Sequence, residues 1–160
     1  MTLTTKEKEI LNDLKAQEQL CIEKYSKYRE AACDSGLKEV FNSIRSAELT
    51  HLDTINKILG GEEVSMPAAP SASGEKYSGM PSGCSTEAKN NDAYLCRDAL
   101  SMEKHVSSVY NTGVFEFSSP VLRDTLAHIQ KEEQNHGIKL YSYLAASGMY
   151  STCGSDSCSL

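Results

Sequence analysis

Shifting the chain by 85 residues lays Glu18 on Glu103, Tyr25 on Tyr110, Glu48 on Glu133 and His51 on His136. The same shift puts Leu37 on Leu122 and Ile44 on Ile129. A repeat that keeps apolar positions describes two similar folding units. One that also keeps acids and histidines on the same stripes as the leucines asks for more, because a generic core has no use for them. Each half therefore reads as a helical hairpin, and the two hairpins are expected to pack about a pseudo-twofold axis with the shared polar residues between them.

The helical reading follows from spacing. Leu11, Leu14, Glu18, Cys21, Tyr25 and Tyr28 recur three and four apart, the period of one helix face. Thr4 is placed to cap this segment, with Glu7 as its reciprocal partner. After a turn at Asp34-Ser35-Gly36, a second stripe carries Leu37, Phe41, Ile44, Glu48, His51, Ile55 and Ile58 and stops at Gly60-Gly61. A third segment, expected over residues 93–113 behind an Asp92 cap, aligns Cys96, Ala99, Glu103, Val106 and Tyr110. A fourth opens at Ser119-Pro120, an N-cap followed by proline at the first helical position. It carries Leu122, Leu126, Ile129, Glu133, His136, Leu140 and Tyr143 up to Gly148. Residues 61–91 are rich in Pro, Gly, Ser and Ala, a long stretch for a compact domain. The expected fold is all-α, a ferritin-like four-helix bundle over residues 1–150, with hairpins 6–59 and 93–147 joined by one long crossover, 60–92. The Cys/Ser-rich tail, 151–160, reads as flexible.

Each half supplies one glutamate from its first helix and a Glu-x-x-His from its second. Residues three apart share a helix face, so Glu48 with His51, and Glu133 with His136, reach a common point. Glu18 and Glu103 approach it from the side. One Glu-x-x-His alone is weak, arising by chance in about one window in several hundred. Six such residues on apolar stripes under one repeat form a di-metal carboxylate pattern. Four carboxylates in an apolar bundle repel one another and lose their hydration, and two divalent cations remove both costs. Carboxylates with one imidazole per ion suit iron or manganese, and zinc fits the same set. Glu48 and Glu133 are expected to bridge, Glu18 and Glu103 to bind terminally, and His51 and His136 to bind one ion each. Tyr25 and Tyr110, two turns beyond their glutamates, are candidate hydrogen-bond donors to the ligands. His105 and His128 fall off these stripes. Glu23 and Glu132 point to the flanks, and the repeat sets Ala47 against Glu132, leaving that acid without a counterpart.

A net charge of -6 over 160 residues gives no electrostatic reason to bind nucleic acid. No run reaches the length of a membrane span. The start, Met1 to Lys6, has no apolar run or cleavage signal, which speaks against secretion by that route. A chain of this size buries a core without disulfide staples. Of the six cysteines, Cys21 and Cys96 read as buried small hydrophobes. Cys84, Cys153 and Cys158 lie in Gly/Ser-rich segments and read as exposed, reactive thiols.

Residues 94–150 resemble the spore coat protein F family. The resemblance is carried by Met102-Glu103-Lys104, Tyr110-Asn111-Thr112, Ser119-Pro120-Val121-Leu122-Arg123-Asp124-Thr125-Leu126, Glu132-Glu133-Gln134-Asn135-His136 and Gly148-Met149-Tyr150. That family usually shows Gly-Trp-Tyr at the last of these, where this chain has Met149. The glutamate followed seven residues later by tyrosine, and then by Glu-x-x-His, resembles rubrerythrin-type ferritin-like proteins in both halves. The cysteine pairs of a rubredoxin module are missing. The resemblance implies a spore-forming bacterium, a place in or near the spore coat or in the cytoplasm, and coat proteins or further copies of the chain as partners. The ligand set carries the expectation of a di-iron or di-manganese centre acting on dioxygen or peroxide. The rival expectation is a structural coat component whose metal site is not catalytic. Iron storage in a hollow shell is a weaker third, since no closing surface can be read.

Overall fold

A computed structural model of the chain describes residues 2–65, 76–79 and 83–150. The tail over 151–160, with Cys153 and Cys158, lies outside them. Among the described residues the chain forms four helices: α1 (Thr5–Ala31), α2 (Ser35–Leu59), α3 (Thr86–Glu116) and α4 (Pro120–Ala146). No helix is long and apolar enough to cross a membrane among the described residues.

The helix starts follow local chemistry. Thr4 accepts from the Glu7 amide while Glu7 accepts from the Thr4 amide, so two of the four orphan N–H groups of α1 are satisfied reciprocally. Asp34 caps α2, and Ser119 caps α4 ahead of Pro120. Gly60 ends α2, and Gly61 follows at φ +79°, a conformation that costs a side chain energy. Two expectations for the third segment change. Helix α3 starts at Thr86 behind a Ser85 cap, earlier than Ala93, and it passes through Gly113 to Glu116. Gly113 does not terminate the helix. It is buried where α3 meets α1 and α4, and an added Cβ would touch Leu126 and Ile10 at ordinary contact distance, 3.4 and 3.5 Å.

Asp92 is the second change: it lies inside α3, buried, and its two oxygens accept from the amides of Cys33 and Asp34, both at 2.8 Å. It therefore caps the turn of the opposite hairpin. Glu7 is its counterpart under the 85-residue shift and does the matching job, accepting from the Ser118 amide at 3.1 Å. Each hairpin thus begins with a buried acid that holds the other hairpin's turn.

Packing is closest within the pairs α1–α2 and α3–α4; α1 also lies against α3, and α2 meets α4 more sparsely. Contacts such as Tyr25 with Glu103 and Glu18 with Tyr110 run in opposite chain directions, so α1 and α3 are antiparallel. Contacts of Lys139 with Ser43 and of His51 with Glu132 make α2 and α4 antiparallel as well. Every helix opposes both neighbours, and α2 and α3 are parallel across the diagonal. The chain must then travel the bundle's length between them, about 35–40 Å for a helix of 25 residues, which accounts for the long crossover.

The core holds Leu11, Leu14, Phe41, Ile44, Ile55, Ile58, Leu122, Leu126 and Leu140, with Tyr25, Tyr110 and Tyr143. Cys21 and Cys96 are buried in it as expected, and burial pushes the Cys96 thiol up to about 12. Cys84 is not an exposed, reactive thiol, because it forms a disulfide with Cys33. This bond fastens the end of the crossover to the α1–α2 turn, where Tyr77 also sets its ring against Tyr143.

Candidate metal centre

Glu18, Glu48, His51, Glu103, Glu133 and His136 converge at mid-bundle, and each is at most 4% exposed. The glutamates of α1 and α3 enter from one side, and the two Glu-x-x-His motifs of α2 and α4 enter from the other. Their donor atoms form two groups, each within 4.8 Å: Glu18, Glu48, His51 and Glu133, and Glu48, Glu103, Glu133 and His136. Glu48 and Glu133 belong to both.

The shared glutamates lie across the centre. Oxygen Oε2 of Glu48 is 3.1 Å from His51 Nδ1, and its Oε1 is 3.1 Å from His136 Nδ1. Glu133 does the same, with Oε1 at 3.1 Å from His51 and Oε2 at 3.5 Å from His136. Each carboxylate thus offers one oxygen to each histidine, the disposition of a bridge. Glu18 and Glu103 stand at the two ends, 3.7 Å from His51 and 3.4 Å from His136.

Tyr25 and Tyr110 reach the glutamates, but each serves the other half. The Tyr25 hydroxyl on α1 donates to Glu103 Oε1 on α3, and the Tyr110 hydroxyl on α3 donates to Glu18 Oε1 on α1. One oxygen of each end glutamate is thereby satisfied. The other oxygens, Glu18 Oε2 and Glu103 Oε2, have no hydrogen-bond partner, and neither do Glu48 Oε1, both oxygens of Glu133, or His136 Nδ1. Buried lone pairs are seldom left so. Five orphaned carboxylate oxygens and one imidazole nitrogen aimed at one volume fit cations between them, and the hard oxygen-rich donor set fits a divalent ion.

Protonation of the ion-free cluster supports that fit. Burial pushes Glu18 up to about 8, against a hydrogen bond from His51 and with help from the charge of Glu48. Glu103 is raised for the same first reason. Burial also opposes ionisation of Glu48 and Glu133, but the His136 and His51 imidazoles beside them outweigh it and hold both below the ordinary carboxylate range. Both imidazoles are raised because their carboxylate partners overcome burial. Each upward shift favours a bound proton at the centre, the neutralisation that cations would otherwise supply.

His105 is exposed and takes no part. Glu23 is exposed beside Lys27, as its phase implies. Glu132 departs from expectation: it is half-buried, and its Oε2 lies 3.0 Å from His51 Nε2 and 3.5 Å from His128 Nε2. The repeat gave no hint of it, because position 47 is alanine. The signal available was adjacency, since an acid next to an inward glutamate flanks the site and can reach a histidine on the neighbouring helix.

Residues 91–152 match the family model of the Coat F domain. This part of the chain is similar to the Coat F domain. It covers most of α3 and all of α4, and so contains Glu103, Glu133 and His136 with Tyr110 and Glu132. Glu18, Glu48 and His51 lie outside it, so half the centre comes from the matched residues and half from the preceding hairpin. Comparisons with curated proteins and with solved structures give no match.

Proposed function

We propose that this chain is a coat-associated, ferritin-like protein that holds two transition-metal ions, iron or manganese with zinc also accommodated, and uses them on dioxygen or peroxide. The observation carrying the proposal is the set of six orphaned buried polar atoms on five residues from four helices, with His51 completing the cluster. The similarity to the Coat F domain over residues 91–152 supports placement in the spore coat.

When bound, such an ion pair supplies reversible one-electron changes beside a substrate oxygen. The protein's own part is to hold and neutralise. Glu48 and Glu133, each with one oxygen toward His51 and the other toward His136, would hold both ions. Glu18 and Glu103 each present one oxygen, with the other tied by a tyrosine from the opposite hairpin. That tie fixes the carboxylate plane while leaving the free oxygen able to bind. His51 and His136 turn Nδ1 to the centre and stack at 5.8 Å between ring centroids.

Metal analysis after native purification tests the reading. Two tightly held iron or manganese ions per chain are expected, and fewer than one would overturn it. The Coat F match equally favours a structural reading, in which the metal only stabilises a coat component. Peroxide disproportionation by the wild type, abolished in a Glu48→Ala, Glu133→Ala variant, separates the two. A variant that merely melts earlier, from a wild type without turnover, would favour the structural one.

A further inference from the structure

We propose that Glu132 makes the two cation positions inequivalent, so that the one beside Glu18 and His51 fills before the one beside Glu103 and His136. The inference rests on the metal-binding reading above and goes beyond it, since the ligands themselves are symmetric.

The asymmetry lies behind the ligands. His51 directs Nδ1 at Glu48 and Glu133 and places Nε2 3.0 Å from Glu132. His136 directs Nδ1 the same way. Among the described residues no carboxylate oxygen stands within ion-pair range of its Nε2, and position 47, the repeat partner of Glu132, offers only a methyl group. A neutral imidazole carries one N–H. A carboxylate at Nε2 keeps that hydrogen there, leaves the Nδ1 lone pair facing inward, restrains the ring and makes Nδ1 a stronger donor. At His136 nothing equivalent selects the tautomer before an ion arrives. The fifth carboxylate also adds negative charge on the His51 side alone.

Access points the same way. A cleft of about 370 Å³ opens between α2 and α4, lined by Thr50, His51, Thr54, Thr125, His128 and Glu132. It reaches His51 and Glu132, and His136 is not in its wall. An ion arriving from that cleft meets the Glu132-backed histidine first.

Titrating the ion-free protein with Mn2+, with the signal of free aqueous Mn2+ followed by electron paramagnetic resonance, tests the proposal. Two steps are expected, separated by about 10–100-fold in affinity, the usual weight of a carboxylate behind a ligating histidine. Crystals grown at one equivalent should show the manganese anomalous peak among Glu18, Glu48, His51 and Glu133. Glu132→Ala should weaken the first step by that factor and merge it with the second. Glu132→Gln, whose amide oxygen still accepts from Nε2, should weaken it less. Ala47→Glu should tighten the second step, which carries the test if Glu132→Ala fails to fold. Two ions bound with equal affinity by the wild type, or steps unmoved by Glu132→Ala and Ala47→Glu, would overturn the inequivalence and leave the two-ion reading standing. Absence of any Mn2+ binding would overturn both.

Discussion

The two hairpins present the same residues to the bundle axis and differ in what stands behind them. Glu18 and Glu103, Tyr25 and Tyr110, and the two Glu-x-x-His motifs superpose in role, as do the turn-holding acids Glu7 and Asp92. Behind the ligands the halves part. Among the described residues, only the second brings a carboxylate to the outward Nε2 of the other's histidine, and only the first has a disulfide at its turn, where the repeat puts Ser118 opposite Cys33. Inward positions answer to partners on three other helices, so a change there disturbs the whole centre. Flanking positions answer to one neighbour and can change singly.

The severest way to break the likeness is to remove what the halves share. Glu48→Ala with Glu133→Ala takes the spanning carboxylate from both positions, and bound metal should fall from about two ions per chain to none by elemental analysis. Reducing Cys33–Cys84, or replacing Cys84 by Ser, strikes the first hairpin alone. The bond closes a loop over a separation of 51 residues, and its loss should lower the unfolding free energy by about 2–4 kcal/mol in urea, with metal content unchanged. Asp92→Ala and Glu7→Ala compare the two turn anchors. Each strands amides that bond to a buried acid, at about 1.5–3 kcal/mol. Asp92 holds the amides of Cys33 and Asp34, and Glu7 those of Ser118 and Thr4, so the two replacements should shift the urea midpoint by similar amounts. A shift confined to one of them would mean that the two anchors are not equivalent.

The finest comparison is by pH. Because burial holds Glu18 at about 8, it carries a proton at neutral pH that a cation must displace, and the upward shift of Glu103 acts in the same sense. Affinity should therefore rise with pH through about 8 and fall below it, by about tenfold per pH unit for each proton displaced. Calorimetry in buffers of differing ionisation enthalpy counts those protons, and at least one per pair of ions is expected at neutral pH.

Much of this was legible in the residues because hydrophobic period and internal repeat report on the same axis-facing positions. All six ligand candidates meet, and Thr4, Asp34, Ser119 and Gly60 act at the helix ends where their chemistry suggests. What escaped the sequence depends on contacts between helices. Asp92 looks like a cap for the helix that follows, and a cap pattern cannot say that the carboxylate turns toward a chain reversal 59 residues away. Its pairing with Glu7 under the 85-residue shift was the available clue. Glu132 was discounted because it breaks the repeat, which is the reason it matters. The Cys33–Cys84 bond needs a crossover that returns to the first turn, and composition does not fix that path.

The crossover has a consequence beyond connection. Were the centre assembled from two separate copies of one hairpin, any new acid beside one histidine would appear beside both, and the pair of positions would stay identical. Fusing the copies into a single polypeptide frees each from the other's mutations. That freedom permits an order of filling, first one ion and then the next, in a site whose ligands give no preference.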